Sequence, residues 1–179
     1  MNKKMNWHTT DYNHGVNIQQ LGASGFSFMF PGSKGHINSV VANRKGVLPN
    51  PIRTITIRYR ISAIGGNPTF QFVDHSGGGG LPPNFRPRIA TSFLENRYWP
   101  SGVNSATIEL TGAERVYTVS CAPNLWQDVY GHSDPKGFTS TLKKNGVWVI
   151  SFGGGNNFEH GVFCTGGSAK FELLEFKIA

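Results

Sequence analysis

The sequence predicts an all-β fold: an antiparallel β-sandwich of jelly-roll type, with one or two short helices in its connections. Three observations carry that expectation. Apolar and polar residues alternate over many short segments, which is the period of a half-buried strand. Of the 179 residues, 23 are glycine and 10 are proline, and glycine at close to twice its usual ~7% breaks helices too often for a bundle. Aromatic residues, at 12%, are too many for a disordered chain. No Gly-X-Y period points to collagen, and no apolar run approaches the ~20 residues of a membrane helix. No internal repeat points to a propeller or solenoid.

Residues 1–24 read as an N-terminal segment, an extended arm or edge strand containing VNIQQL, and residues 25–179 as the sandwich domain. GFSFMF sets Phe26, Phe28 and Phe30 on one face against Ser27 and Met29, and HINSVVA follows. TITIRYRI is the clearest strand: Ile55, Ile57, Tyr59 and Ile61 face one way, Thr54, Thr56, Arg58 and Arg60 the other. TFQFVD places Phe70 with Phe72 and leads into HSGGGGLPP. That stretch reads as a hairpin excursion, because a phosphate-binding loop needs a following helix and a Lys-Ser or Lys-Thr pair. RPRIATSF, ATIEL, RVYTV, VWVISF and AKFELLEFKI complete the strands. In the last, alternation changes parity between Leu173 and Leu174, which predicts a bulge or an edge.

Two segments have helical spacing. NLWQDVYG places Leu125, Trp126, Val129 and Tyr130 on one side of a short helix. SDPKGFTSTLKKNG has Ser133 or Asp134 as cap and Pro135 in the first turn. Phe138 and Leu142 would anchor it, Lys143 and Lys144 sit at the negative end, and Gly146 terminates it.

Seventeen Lys and Arg against ten Asp and Glu give a net charge of +7, which favours anionic partners. The charge is dispersed, however. Its longest basic blocks are pairs, the pattern of a solvated surface, and Arg58 and Arg60 sit in no recognised nucleic-acid motif. Nucleic acid and membrane are therefore not expected as partners. Cys121 and Cys164 belong to no CxxC pair and read as free, buried thiols, so neither a metal nor a cofactor is expected. The N-terminus has no apolar secretion signal as written, which points to the cytoplasm or a virion.

The carboxylates form no ExE or DxD pair of the kind that glycoside hydrolysis would use, and Glu172 and Glu175 point to opposite faces of a strand. Asp74 and Glu159 would meet only through the fold. With no GxSxG elbow or Cys-His signature, the chain reads as a non-enzyme with no catalytic residue. The candidate binding residues lie where aromatic and basic side chains crowd together: Arg86, Arg88, Arg97, Tyr98 and Trp99, with Phe85 and Phe93 among them. Adjacent Tyr98 and Trp99 cannot both point inward from a strand, so one ring is expected in solvent or a groove. There it would stack on a pyranose while the arginines bind hydroxyls or carboxylates. The competing reading makes Trp99 a plug in the core. Asp74 and His75 join the candidates because they sit where a strand leaves the sheet, and His160 follows the second glycine loop.

RYWPSG, VYGHSDPKGF and the closing VWVISFGGGNNFEHGVFCTGGSAKFELLEFKI resemble a set of uncharacterised bacterial and phage-borne proteins with a jelly roll like that of carbohydrate-binding modules. The likeness spans roughly residues 25 to 178; Asn157 and Glu159 depart from the usual ending. It implies a lectin-like sandwich and brings no catalytic residue with it. The expectation is a non-catalytic, carbohydrate-binding module recognising glycan or polysaccharide through an aromatic and arginine platform. The alternatives are a phage virion protein, in capsid decoration or tail, with protein partners in a larger assembly, and then a polysaccharide-degrading enzyme.

Overall fold

The computed structural model describes residues 4–44, 48, 52–74, 79–156 and 158–179. In chain order the first strands are β1 (Trp7–Thr9), β2 (Gln19–Leu21), β3 (Gly25–Met29), β4 (Ser39–Arg44) and β5 (Thr54–Phe72). β6 (Leu81–Ala90), β7 (Tyr98–Pro100), β8 (Ala106–Thr107), β9 (Arg115–Ser120) and β10 (Trp126–Asp128) follow. The helix α1 (Pro135–Leu142) precedes β11 (Gly146–Gly155), β12 (Glu159–His160) and β13 (Val162–Ile178). Two antiparallel sheets pack face to face. The larger runs β1-β4-β11-β6-β7-β10, with β12 on β11 and β8 on β6; the smaller runs β2-β3-β13-β5-β9. The chain steps back and forth between the sheets, as in a jelly roll. Before residue 25, β1 edges the larger sheet and β2 the smaller, and Trp7 is buried in the core.

Alternation along the strands explains the core. Ile55, Ile57, Tyr59 and Ile61 are buried on one side of β5. On its other side Arg58 reaches Glu114 and Glu175, and Arg60 pairs with Glu172 at 2.8 Å. Phe171 of β13 sits at the centre, 5.2 Å from Phe28 and 5.3 Å from both Phe85 and Phe152 by ring centroid. Such aromatic pairs fill the ~10 Å between two sheets with few side chains. The register of β13 slips between Leu173 and Glu175, so the bulge lies where the parity changes. It brings Glu172 and Glu175, expected on opposite faces, to the one face that carries Arg58 and Arg60. TITIRYRI and TFQFVD are one long strand instead of two, paired throughout with β13. Close approach lets that pair bend: a Cβ on Gly167 would lie 2.3 Å from the Gly65 carbonyl oxygen.

The helix in SDPKGFTSTLKKNG starts as expected but ends at Leu142, and Gly146 opens β11 instead of terminating the helix. The Asp134 carboxylate accepts from the Gly137 N–H at 3.0 Å and from the Tyr98 hydroxyl at 2.6 Å, and Phe138 stacks on Trp126. Its C-terminal carbonyls are capped from across the fold: the Arg44 guanidinium donates to Thr141 and Leu142. NLWQDVYG is not an α-helix. Pro123–Leu125 makes one 3-10 turn, and Trp126 then starts β10, because its buried indole N–H bonds the Ser120 carbonyl and its ring packs on Phe138. The prolines of LPP lie in β6 instead of an excursion; Gly77 and Gly78 fall outside the described residues.

Candidate functional site

Cross-strand register builds the site on the outer face of the larger sheet. Partners in an antiparallel pair point to the same face. Phe85 and Ile89 face the core, so Arg86 and Arg88 face outward, opposite Ser151 and Val149 of β11. His160 stands opposite Gly153, and Gln127 opposite Trp99. Tyr98 points inward onto Phe138 and Trp99 outward.

That outer face is covered. Trp99 is only 4% exposed, with Phe158 at 5.0 Å and His160 at 5.8 Å from its ring. Phe93 closes over Arg88 and stacks on Tyr12. The expectation that either Tyr98 or Trp99 meets solvent is therefore corrected: the two rings do point apart, but each is buried on its own side. The inward ring meets the core and the outward ring meets the loop that carries Phe158. Arg86 and Arg88 are also buried, whereas Arg97 is half-buried, its guanidinium 5.9 Å from the Tyr130 ring.

The electrostatics are unusual. Burial pushes the Arg86 and Arg88 guanidinium groups down to about 10, so both stay charged at neutral pH, and Arg97 adds its charge against Arg88. Burial, then the charges of Arg88, Arg97 and Arg86, push His160 down to about 4 and keep it neutral. Among the described residues, neither Arg86 nor Arg88 has a carboxylate partner. The Phe158 ring lies 3.9 Å from the Arg86 guanidinium carbon, a cation–π contact that offsets part of the desolvation.

Beside this cluster opens a pocket of about 490 Å³ lined by Arg86, Trp99, Gln127, Tyr130, Asn156 and Phe158, with glycine backbone between them. The volume lies in the range of small-molecule sites, ~300–1,000 Å³. Tyr130 is 75% exposed at its wall. The turn that displays it is held by Asp128, whose carboxylate accepts from the backbone N–H groups of Tyr130 and His132. Desolvation works the other way, but those bonds hold the Asp128 carboxyl below the usual carboxylate range.

The structure thus brings Arg86, Arg88, Arg97, Trp99 and His160 together, while Tyr98 serves the core and the helix cap. Asp74 is exposed just past β5 and does not line the pocket, and His75 lies outside the described residues. Sequence reasoning missed Tyr130, Gln127, Ser151, Asn156 and Phe158. Only Ser151 had a usable signal, its outward parity in VWVISF. Among the described residues, no three His, Cys, Asp or Glu side chains gather as metal ligands. Comparison with models of known protein families and with curated proteins found no match to the chain.

Proposed function

We propose that the protein is a non-catalytic, carbohydrate-binding β-sandwich whose site is the pocket on the outer face of the larger sheet. The observation that carries this reading is the lining of one pocket, which combines an exposed Tyr130 with the Gln127 and Asn156 amides and the Arg86 guanidinium. A sugar ring has an apolar face that stacks on an aromatic and an equator of hydroxyls that both donate and accept. Amide side chains match those hydroxyls from both sides. This revises the platform expected from the sequence: Tyr130 takes the stacking role expected of Trp99 or Tyr98, and Trp99 lines the same pocket as a buried ring. A glycan array identifies the sugar, and titration of the hit against Tyr130→Ala tests the site. Loss of most of the affinity with an unchanged melting temperature supports the reading. Unchanged affinity in the variant overturns it.

A further inference from the structure

Among the described residues, five buried polar atoms on the outer face of the larger sheet find no hydrogen-bond partner: Nε of Arg86, Nε of Arg88, Nε1 of Trp99, Oγ of Ser151 and Nδ1 of His160. They share one chemical property. The two guanidinium nitrogens and the indole nitrogen only donate, the serine hydroxyl can donate, and the imidazole nitrogen donates in one tautomer. The cation–π contacts do not relieve them. Phe158 covers a face of the Arg86 guanidinium and Phe93 a face of Arg88, whereas the N–H bonds lie in the guanidinium plane and point past the rings. The two bonds that Arg86 does make, to the Pro100 carbonyl and the Asn84 side chain, are long at 3.4 and 3.3 Å. Arg44 makes the contrast. It is also buried with an unpartnered Nε, but both its Nη groups are spent on the end of α1.

A buried set of donors around two unpaired positive charges is complementary to an oxyanion, which only accepts and carries the missing charge. The pocket beside these donors has room for a ligand larger than a bare anion. Arg86 and Trp99 belong both to the donor set and to the pocket lining, and a bare inorganic anion would leave most of the 490 Å³ unfilled.

We infer that the site takes an acidic sugar, whose carboxylate seats against Arg86 and Trp99 while Arg88 behind them supplies the second positive charge. This rests on the carbohydrate reading for the source of the carboxylate. The neutral part of the ligand then extends along Gln127 and Asn156 toward Tyr130.

The test is isothermal titration of the full chain with three sets of probes. These are oligomers of galacturonate, glucuronate and mannuronate, the neutral hexose oligomers of the same backbones, and sodium sulfate. At least one uronate oligomer is expected to bind about tenfold to a hundredfold more tightly than its neutral counterpart, as hydrogen bonds to a charged group require. In Arg86→Gln, with folding checked by circular dichroism, that preference disappears. His160 gives a second readout on the unaltered chain: a seated carboxylate moves its ring signals and raises its titration midpoint. Equal binding of acidic and neutral oligomers overturns the acidic-sugar inference and leaves the carbohydrate reading standing. Arg86-dependent binding of sulfate with no sugar bound keeps the oxyanion site and overturns the carbohydrate reading. Binding of none of the three overturns both.

Discussion

Replacing Arg88 with methionine is expected to stabilise the unliganded protein. Arg88 is 3% exposed, lies beneath Phe93 with 4.7 Å from guanidinium carbon to ring centroid, and faces Ser151's strand with no carboxylate partner among the described residues. Desolvating an unpaired charge costs several kcal/mol. The Phe93 contact returns about 2 kcal/mol of that, and the nearby charge of Arg97 adds to the cost. Methionine keeps an unbranched stem of similar length against the same neighbours and brings no charge, so packing loss stays small. The difference is about 1–3 kcal/mol in favour of Arg88→Met. For a chain of this length that raises the melting temperature by about 3–10 °C. Differential scanning calorimetry at pH 7.5 in dilute buffer, with no sugar or sulfate, measures it. With a bound uronate oligomer the gap narrows or reverses, because the unaltered chain keeps the second positive charge and gains more from ligand binding. A fall of several degrees in Arg88→Met would show that the arginine is stabilised where it lies, and the argument from an unpaired buried charge would fail.

Trp99→Ala is expected to cost about 3–5 kcal/mol, as large-to-small changes at packed positions do, and a denaturant melt showing under ~1 kcal/mol would contradict its burial. His160 is held down at about 4 in the native protein, while the unfolded chain takes up that proton near pH 6.5. The native state therefore binds fewer protons between those values, so stability falls as pH drops through that window, by about 3 kcal/mol at most; His160→Gln should remove that part of the loss, seen as a smaller drop in melting temperature from pH 7 to 4.5. Cys121 and Cys164 are free and buried, and burial pushes the Cys121 thiol up to about 12. Alkylation followed by mass spectrometry should therefore be slow in the native protein and fast on unfolding.

The parts of this fold legible in the sequence are those decided locally. Period-two alternation placed Ile55, Ile57, Tyr59 and Ile61 in the core because one face of a strand is all that such a pattern encodes. The parity change at Leu173 and Leu174 marked a real bulge, and Asp134 followed by Pro135 marked a real helix start, while the expected stop at Gly146 is instead the first residue of β11. NLWQDVYG misled because four residues at helical spacing are also compatible with a turn into a strand. Long-range bonds decided between them: Trp126 to Ser120, and Asp128 to the backbone beyond it.

The site shows the same division. Arg86, Arg88 and Trp99 were recognisable as part of a stretch crowded with basic and aromatic residues. The burial of Arg86 and Trp99 was not, since it depends on Phe158, which arrives from a loop nearly sixty positions after Trp99 and stands at φ 49°. Tyr130 became a wall of the pocket through the Asp128 turn, a local device that the helical spacing concealed.

The most direct test is a crystal structure of the protein soaked with the uronate oligomer that binds best. The acidic-sugar site predicts a carboxylate oxygen within about 3.2 Å of an Arg86 guanidinium nitrogen, the reach of a hydrogen bond, with the sugar lying along Trp99 and its backbone running toward Tyr130. A sugar bound elsewhere on the molecule, or one in this pocket with its carboxylate turned to solvent, would contradict it.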